Sequence, residues 1–151
     1  MPLALLSRRI LAPRARAPEH IQFGAIPYQV IDGHAVFLMI TSRSSANWIF
    51  PKGSALAGLA PWQVAEKEAL EEAGVRGEIA ETPVGYYERM HEGKGLMRVD
   101  LFPLQVTEQF DTWQEEPERF RHWALLPQVH RLMASKQAAR VAASFARDLL
   151  R

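Results

Sequence analysis

From Ile21 onward, apolar and polar positions fall into short segments with distinct periods. IQFGAIPYQV (21–30) and AVFLMIT (35–41) are β-rich runs separated by Ile31-Asp32-Gly33-His34. Asp-Gly between such runs predicts a type I′ hairpin, because both central residues of that turn need positive φ. NWIFPKG (47–53) is a third extended stretch, and ALAGLAP after it reads as a loop. Pro61–Ala73 is predicted as a helix: Val64, Ala65, Ala69, Leu70 and Ala73 recur at mixed steps of three and four. Pro61 suits its first turn and Gly74 the position just past its end. VRGEIAE, PVGYYERM and LMRVDLFPLQVT follow as strands, with HEGKG as a turn. Pro103 marks the last of these as an edge strand or a bulge. An acid-rich loop, FDTWQEEPER, leads to FRHWALL, a final strand or turn. The C-terminal segment is helical, with Val141, Phe145 and Leu149 as its apolar stripe. Strands, helix, strands, helix is the order of an α+β fold with a mixed sheet between helices.

Composition narrows the chemistry. At 151 residues the chain suits one domain with a single core. It is 48% hydrophobic and 23% charged, the balance of a globular domain, and no run of about 18 apolar residues offers a membrane-spanning helix. Without cysteine there is no disulfide, thiol nucleophile, cysteine-bound zinc or iron–sulfur cluster, so any chemistry uses oxygen or nitrogen groups. The net charge of +1 is unevenly spread: Arg8, Arg9, Arg14 and Arg16 face Glu19 alone in residues 1–20. The remaining 14 basic and 16 acidic residues leave 21–151 nearly neutral, against general nucleic-acid binding. Residues 1–20 are expected to be a basic surface tail on a cytoplasmic protein; their Arg-rich, acid-poor composition is also that of a mitochondrial transit segment.

The informative cluster is Glu66, Glu68, Glu71 and Glu72 on the first helix. At about 100° per residue, Glu71 and Glu72 flank Glu68 on one face. Like charges at i, i+4 repel weakly on an exposed helix, and far more in a cleft unless a cation joins them. Oxygen ligands on a rigid helix suit Mg²⁺ or Mn²⁺. An acidic helix face alone is usually only solvated. Here Pro51-Lys52-Gly53 closes the preceding strand and Ala73-Gly74-Val75 follows the helix, and Gly53 lets the backbone approach a ligand so that its carbonyl can join the set.

Residues 53–75, GSALAGLAPWQVAEKEALEEAGV, resemble a Nudix box: Gly, five residues, Glu, seven residues, Arg-Glu, apolar, any, Glu-Glu, any, Gly, apolar. Gly53, Glu68, Ala69, Glu71, Glu72, Gly74 and Val75 match; Leu59 stands for the first Glu and Lys67 for the Arg. FLMITSRSSANWIFPKGS, PVGYYER and LQVTEQFDTWQEEPERFRHW resemble the branch containing diphosphoinositol polyphosphate and diadenosine polyphosphate phosphohydrolases. In that branch an Arg precedes a Trp by five residues, as Arg43 precedes Trp48, and a late Trp is followed by Arg-x-Arg-x-Trp, as in Trp113, Arg119, Arg121 and Trp123.

The resemblance implies a Nudix α/β/α sandwich over 21–151 and a Mg²⁺- or Mn²⁺-dependent pyrophosphohydrolase acting on a small phosphorylated substrate. It implies Gly53, Glu68, Glu71 and Glu72 as metal ligands, with Glu68 or Glu71 accepting the proton of the attacking water. Lys67, in the place of the arginine that orients a glutamate, keeps the charge and loses the fork. Arg43, Lys52, Arg98 and Arg121 are the expected phosphate-binding cations, with Arg89, Lys94 and Arg119 also near the box or in the branch's late basic segment. Glu115, Glu116 and Glu118 could add a further carboxylate, but are expected to form a solvated loop. Trp48 and Trp113 are read as core or loop anchors, and His91 as an exposed turn residue. The substrate expected is a diphosphoinositol polyphosphate or a dinucleoside polyphosphate. The rival readings are a catalytically weak module that binds a nucleotide or partner, and a sugar-nucleotide or dinucleotide pyrophosphatase.

Overall fold

The structure, a computed structural model, describes residues 20–151. The tail expected over 1–20 therefore lies, but for His20, outside the described residues. Strands β1 (His20–Ile31) and β2 (His34–Thr41) form the hairpin, with Asp32 at φ 51° and Gly33 at φ 77° as a type I′ turn demands. NWIFPKG divides into two short strands, β3 (Trp48–Ile49) and β4 (Lys52–Ser54). Helix α1 (Pro61–Glu68) continues into a wide π-type turn over Ala69–Ala73, ended by Gly74 at φ 67°. Then come β5 (Val75–Ile79), β6 (Gly85–His91), β7 (Gly95–Gln109) and a 3₁₀ turn at Glu116–Glu118. Strand β8 (Arg121–Leu125), α2 (Leu126–Leu132) and α3 (Lys136–Leu149) complete the chain.

The strands join in one mixed sheet, in the order β3-β2-β1-β7-β5, with β4 on β1, β6 on β7 and β8 on β2. Strands β1 and β7 run parallel from His20↔Met97 to Tyr28↔Gln105, and the other pairings are antiparallel. Period-2 alternation divides the buried side chains between two faces. Phe37, Met39, Val99 and Leu101 face α2 and α3, while Leu38, Ile40, Phe102 and Leu104 face α1. This is the expected α/β/α sandwich. Among the described residues no helix is long and apolar enough to cross a membrane.

Two local expectations change. Pro103 lies in the long central strand and not at an edge, paired with Ile26 of β1. It is tolerated because β7 changes partner there, from β6 up to Leu101 to β5 from Leu104. Its carbonyl accepts from Ala80 on that side, and N and O of one strand residue point the same way, so the missing N–H faces the gap. The buried face of α3 is alanine, at 138, 139, 142, 143 and 146, while Val141, Phe145 and Leu149 are partly buried at its flank. Small residues let the helix lie close to the sheet: a Cβ on Gly85 of β6 would stand 2.8 Å from Val141.

Ala142 is fully buried between α3 and the sheet. Ala142→Leu is expected to lower stability by about 1–3 kcal/mol, read from the urea midpoint, because a close-packed layer has no room for three more carbons.

Candidate active site

Helix α1 is seated on the sheet by Val64 and Ala65, and its π turn by Ala69 and Ala73, all fully buried. The apolar anchoring turns Glu68 and Glu72 toward β4. A π turn advances fewer degrees per residue than an α turn, which carries Glu71 away from Glu68 and swings Glu72 back beneath it. Glu71 accordingly pairs with Lys67 at 2.6 Å and borders a separate groove with Arg76, Phe110 and Trp113. The face expected to hold Glu68, Glu71 and Glu72 thus loses Glu71, because the helix does not keep α geometry to its end.

Its place is taken from the acid-rich loop. One carboxylate oxygen each from Glu68, Glu72 and Glu115 lies within 4.8 Å of the others. Glu115, expected in a solvated loop, is held at the cleft by its own N–H, which donates to the Glu71 carbonyl at 3.0 Å. Its neighbours are fastened likewise: Trp113 Nε1 to the Glu72 carbonyl at 2.9 Å, Arg121 to the Ala73 carbonyl at 3.0 Å, Phe110 N–H to the Gly74 carbonyl at 2.9 Å. Carbonyls at a helix C-terminus lack intrahelical donors, and segment 110–121 supplies them.

Glu72 is 4% exposed. Its Oε2 accepts from the Lys52 backbone N–H at 3.1 Å, and its Oε1 from Arg119 at 3.0 Å. Burial raises its pKa to about 7, against the opposing pull of Arg119 and the Lys52 N–H. Burial also raises Glu68, with the Lys67 charge opposing. Gly53 lines the same cleft, and a Cβ there would strike the Glu68 side chain, with Cγ 2.7 Å away. A side chain at position 53 would require the Glu68 side chain to move aside.

The donor set is oxygen only: three carboxylates, the Gly53 backbone beside them, and Gln22 Oε1, which is buried without a hydrogen-bond partner and lines the cleft. Oxygen donors of this number and charge fit a hard divalent cation of the Mg²⁺ or Mn²⁺ class.

The expected cations separate into two groups. Lys52 and Arg43 line the cleft, with Arg89. Burial, with Arg89 nearby, lowers Lys52 to about 8, so it stays largely charged at neutral pH. Arg43 is exposed and lies 3.2 Å from Glu118 and 3.7 Å from Glu115. Arg98 and Arg121 stand elsewhere. Arg98 pairs with Asp100 at 2.9 Å beside Tyr86. Arg121 donates to the Ala73 and Phe110 carbonyls and lies 3.9 Å over the Trp113 ring, a strut under the loop. Leu59, in place of the first box glutamate, is exposed and outside the residues lining the cleft. Trp48 packs against the α2–α3 core and Trp113 anchors the loop, as expected of both.

The NUDIX domain family matches residues 19–148, and the chain belongs to the Nudix family of hydrolases. It is 28% identical to Nudix hydrolase 12, mitochondrial, of Arabidopsis thaliana, over 96% of this chain and 82% of that one. It is 33% identical to diphosphoinositol polyphosphate phosphohydrolase 3-alpha of Mus musculus, over 58% of this chain and 53% of that one. An Ap4A hydrolase of C. elegans in a binary complex shares the fold, with a TM-score of 0.70, 21% identity and coverage of 86% and 97%. Several of the plant relatives are named mitochondrial, which disagrees with the cytoplasmic expectation.

Calorimetric titration with Mn²⁺ is expected to show affinity reduced at least about tenfold in Glu68→Gln and Glu115→Gln, but nearly unchanged in Glu71→Gln.

Proposed function

We propose that this chain is a divalent-metal-dependent pyrophosphohydrolase that cleaves a phosphoanhydride in a dinucleoside polyphosphate or a diphosphoinositol polyphosphate. The meeting of Glu68, Glu72 and Glu115 within 4.8 Å, beside Lys52 and Arg89, carries this reading. Glu68, Glu72 and Glu115 would hold the metal, with the Gly53 carbonyl beside them. A bound divalent cation supplies charge neutralisation on phosphate and a more acidic water. Lys52 and Arg89 pair with phosphate oxygens, and Arg43 meets the outer end of the chain of phosphates. Glu68 lines the cleft and is the better placed proton acceptor; Glu71 lies outside it, paired with Lys67.

The adjoining space favours the nucleotide reading. A cavity of about 490 Å³ shares Lys52 and Arg89 with the cleft. Ile49, Phe50, Tyr87 and Met133 provide apolar walls, and Asn47 and Gln137 provide amide edges. Flat apolar walls with a few polar edges suit a nucleobase. An inositol ring bearing phosphates on every side asks for cations all round, and here Lys136 is spent on the His130 and Arg131 carbonyls while Glu88 adds negative charge. The mouse relative keeps the diphosphoinositol polyphosphate as the second reading. The mitochondrial names of the plant relatives support the transit-segment reading of residues 1–20 over a cytoplasmic tail.

A substrate panel tests this. Diadenosine polyphosphates, a diphosphoinositol polyphosphate, ADP-ribose and NADH are each incubated with Mg²⁺, with Mn²⁺ and with chelator. Turnover of a diadenosine polyphosphate that needs metal and is largely lost in Glu72→Gln is the expected result; full activity in that variant would refute the site. Lys52→Met is expected to raise KM for the preferred substrate several-fold, since a phosphate loses a close cation.

A further inference from the structure

The Nudix box places an arginine directly before Glu68, and this chain has Lys67 there. Lys67 Nζ turns to Glu71, 2.6 Å away, with its side chain 40% exposed and outside the cleft. The guanidinium in the cleft belongs to Arg119, which is 8% exposed and follows the box by more than forty residues. Its Nη2 lies 3.0 Å from Glu72 Oε1 and 3.0 Å from Glu115 Oε1. Nε donates to Glu115 Oε1 at 3.0 Å, and Nη1 to the Thr41 carbonyl at 2.9 Å. Thr41 is itself fixed, since its Oγ1 accepts from Phe120 N–H at 2.9 Å and its N–H donates to the Phe120 carbonyl at 3.0 Å.

We infer that Arg119 is the positioning residue of this centre: it has taken over the carboxylate-orienting role that the box assigns to position 67, and Lys67 has left that role. The inference rests on the metal-dependent reading of the cleft given above. All three guanidinium nitrogens are aimed by one rigid plane at two carboxylates and a backbone carbonyl. Lysine, a single donor point on a flexible stem, cannot hold that many acceptors in fixed directions. The loss of the box arginine is therefore compatible with an ordered cleft, because the fork arrives from the β8 side.

Arg119→Lys preserves charge and removes the fork, and Lys67→Arg restores the motif. In Arg119→Lys, Mn²⁺ affinity measured by calorimetry, without substrate, is expected to fall about 10- to 100-fold. The kcat of the same variant is expected to fall with KM for substrate nearly unchanged, since lost orientation acts on the transition state. Lys67→Arg is expected to change neither quantity. Millimolar guanidinium is expected to restore part of the rate of Arg119→Ala and to leave wild type unaffected. Should Arg119→Lys fail to fold, by circular dichroism, Lys67→Ala still decides: a fall in Mn²⁺ affinity there would overturn the inference, and an unchanged affinity supports it. Normal Mn²⁺ binding and kcat in folded Arg119→Lys would also overturn it, while leaving the hydrolase reading intact. A wild-type protein that binds no Mn²⁺ would refute both.

Discussion

The end of one helix governs the rest of this structure. A helix that stops at a buried site leaves carbonyls with no donor of their own, and burying them unpaired is costly. Here the carbonyls of Glu71, Glu72, Ala73 and Gly74 are each met by a donor from segment 110–121. Those four bonds fix the loop, and the loop in turn fixes Glu115 and Arg119. The backbone need of the helix and the side-chain need of the cleft are thus met by the same dozen residues. Gly74, left-handed at φ 67°, makes the corner; a Cβ there would stand 2.8 Å from the Trp113 side chain and from Arg121.

The electrostatics follow from that arrangement. Three carboxylates so close together repel one another, and burial of Glu72 adds a desolvation cost. Arg119 and the Lys52 N–H offset part of this cost, while Lys52 and Arg89 hold positive charge at the same opening. A knot of carboxylates beside cations is the pattern expected where a divalent metal and a polyphosphate meet. Lys67 and Glu71 stand outside the cleft and act on Glu68 only through space, in opposite senses; they form an i, i+4 pair of the kind that contributes only tenths of a kcal/mol.

What the sequence made legible is what short-range chemistry determines. Asp32-Gly33 specifies its hairpin, and Pro61 and Gly74 bracket the helical segment, because each acts on its own backbone angles. Spacing puts Glu68, Glu71 and Glu72 on one helix face, and only the resemblance to the Nudix box sets Glu68 and Glu72 first. The departure of Glu71 from that face was not legible, since the change to a π turn comes from how the segment sits on the sheet. Glu115 could not be told from Glu116 and Glu118 by composition; its distinguishing feature is a bond from its N–H to a residue 44 positions earlier. Trp113 with Arg119 and Arg121 was the available signal, and it marked the segment without saying that both arginines turn inward onto protein groups. On α3 the large residues Val141, Phe145 and Leu149 predict the buried stripe, whereas alanines form the contact.

The long β7 strand has a consequence for how the molecule comes into being. It joins β1 in parallel across a separation of more than seventy residues, and Glu115 and Arg119 lie beyond it. Pairings this distant along the chain form late and slowly, because a long loop must close before any contact rewards it. A nascent chain that has just emerged with its whole glutamate motif therefore holds the carboxylates without their third member, and the helix without its terminal donors. The cleft is therefore assembled only when the segment that follows β7 closes over the end of the first helix.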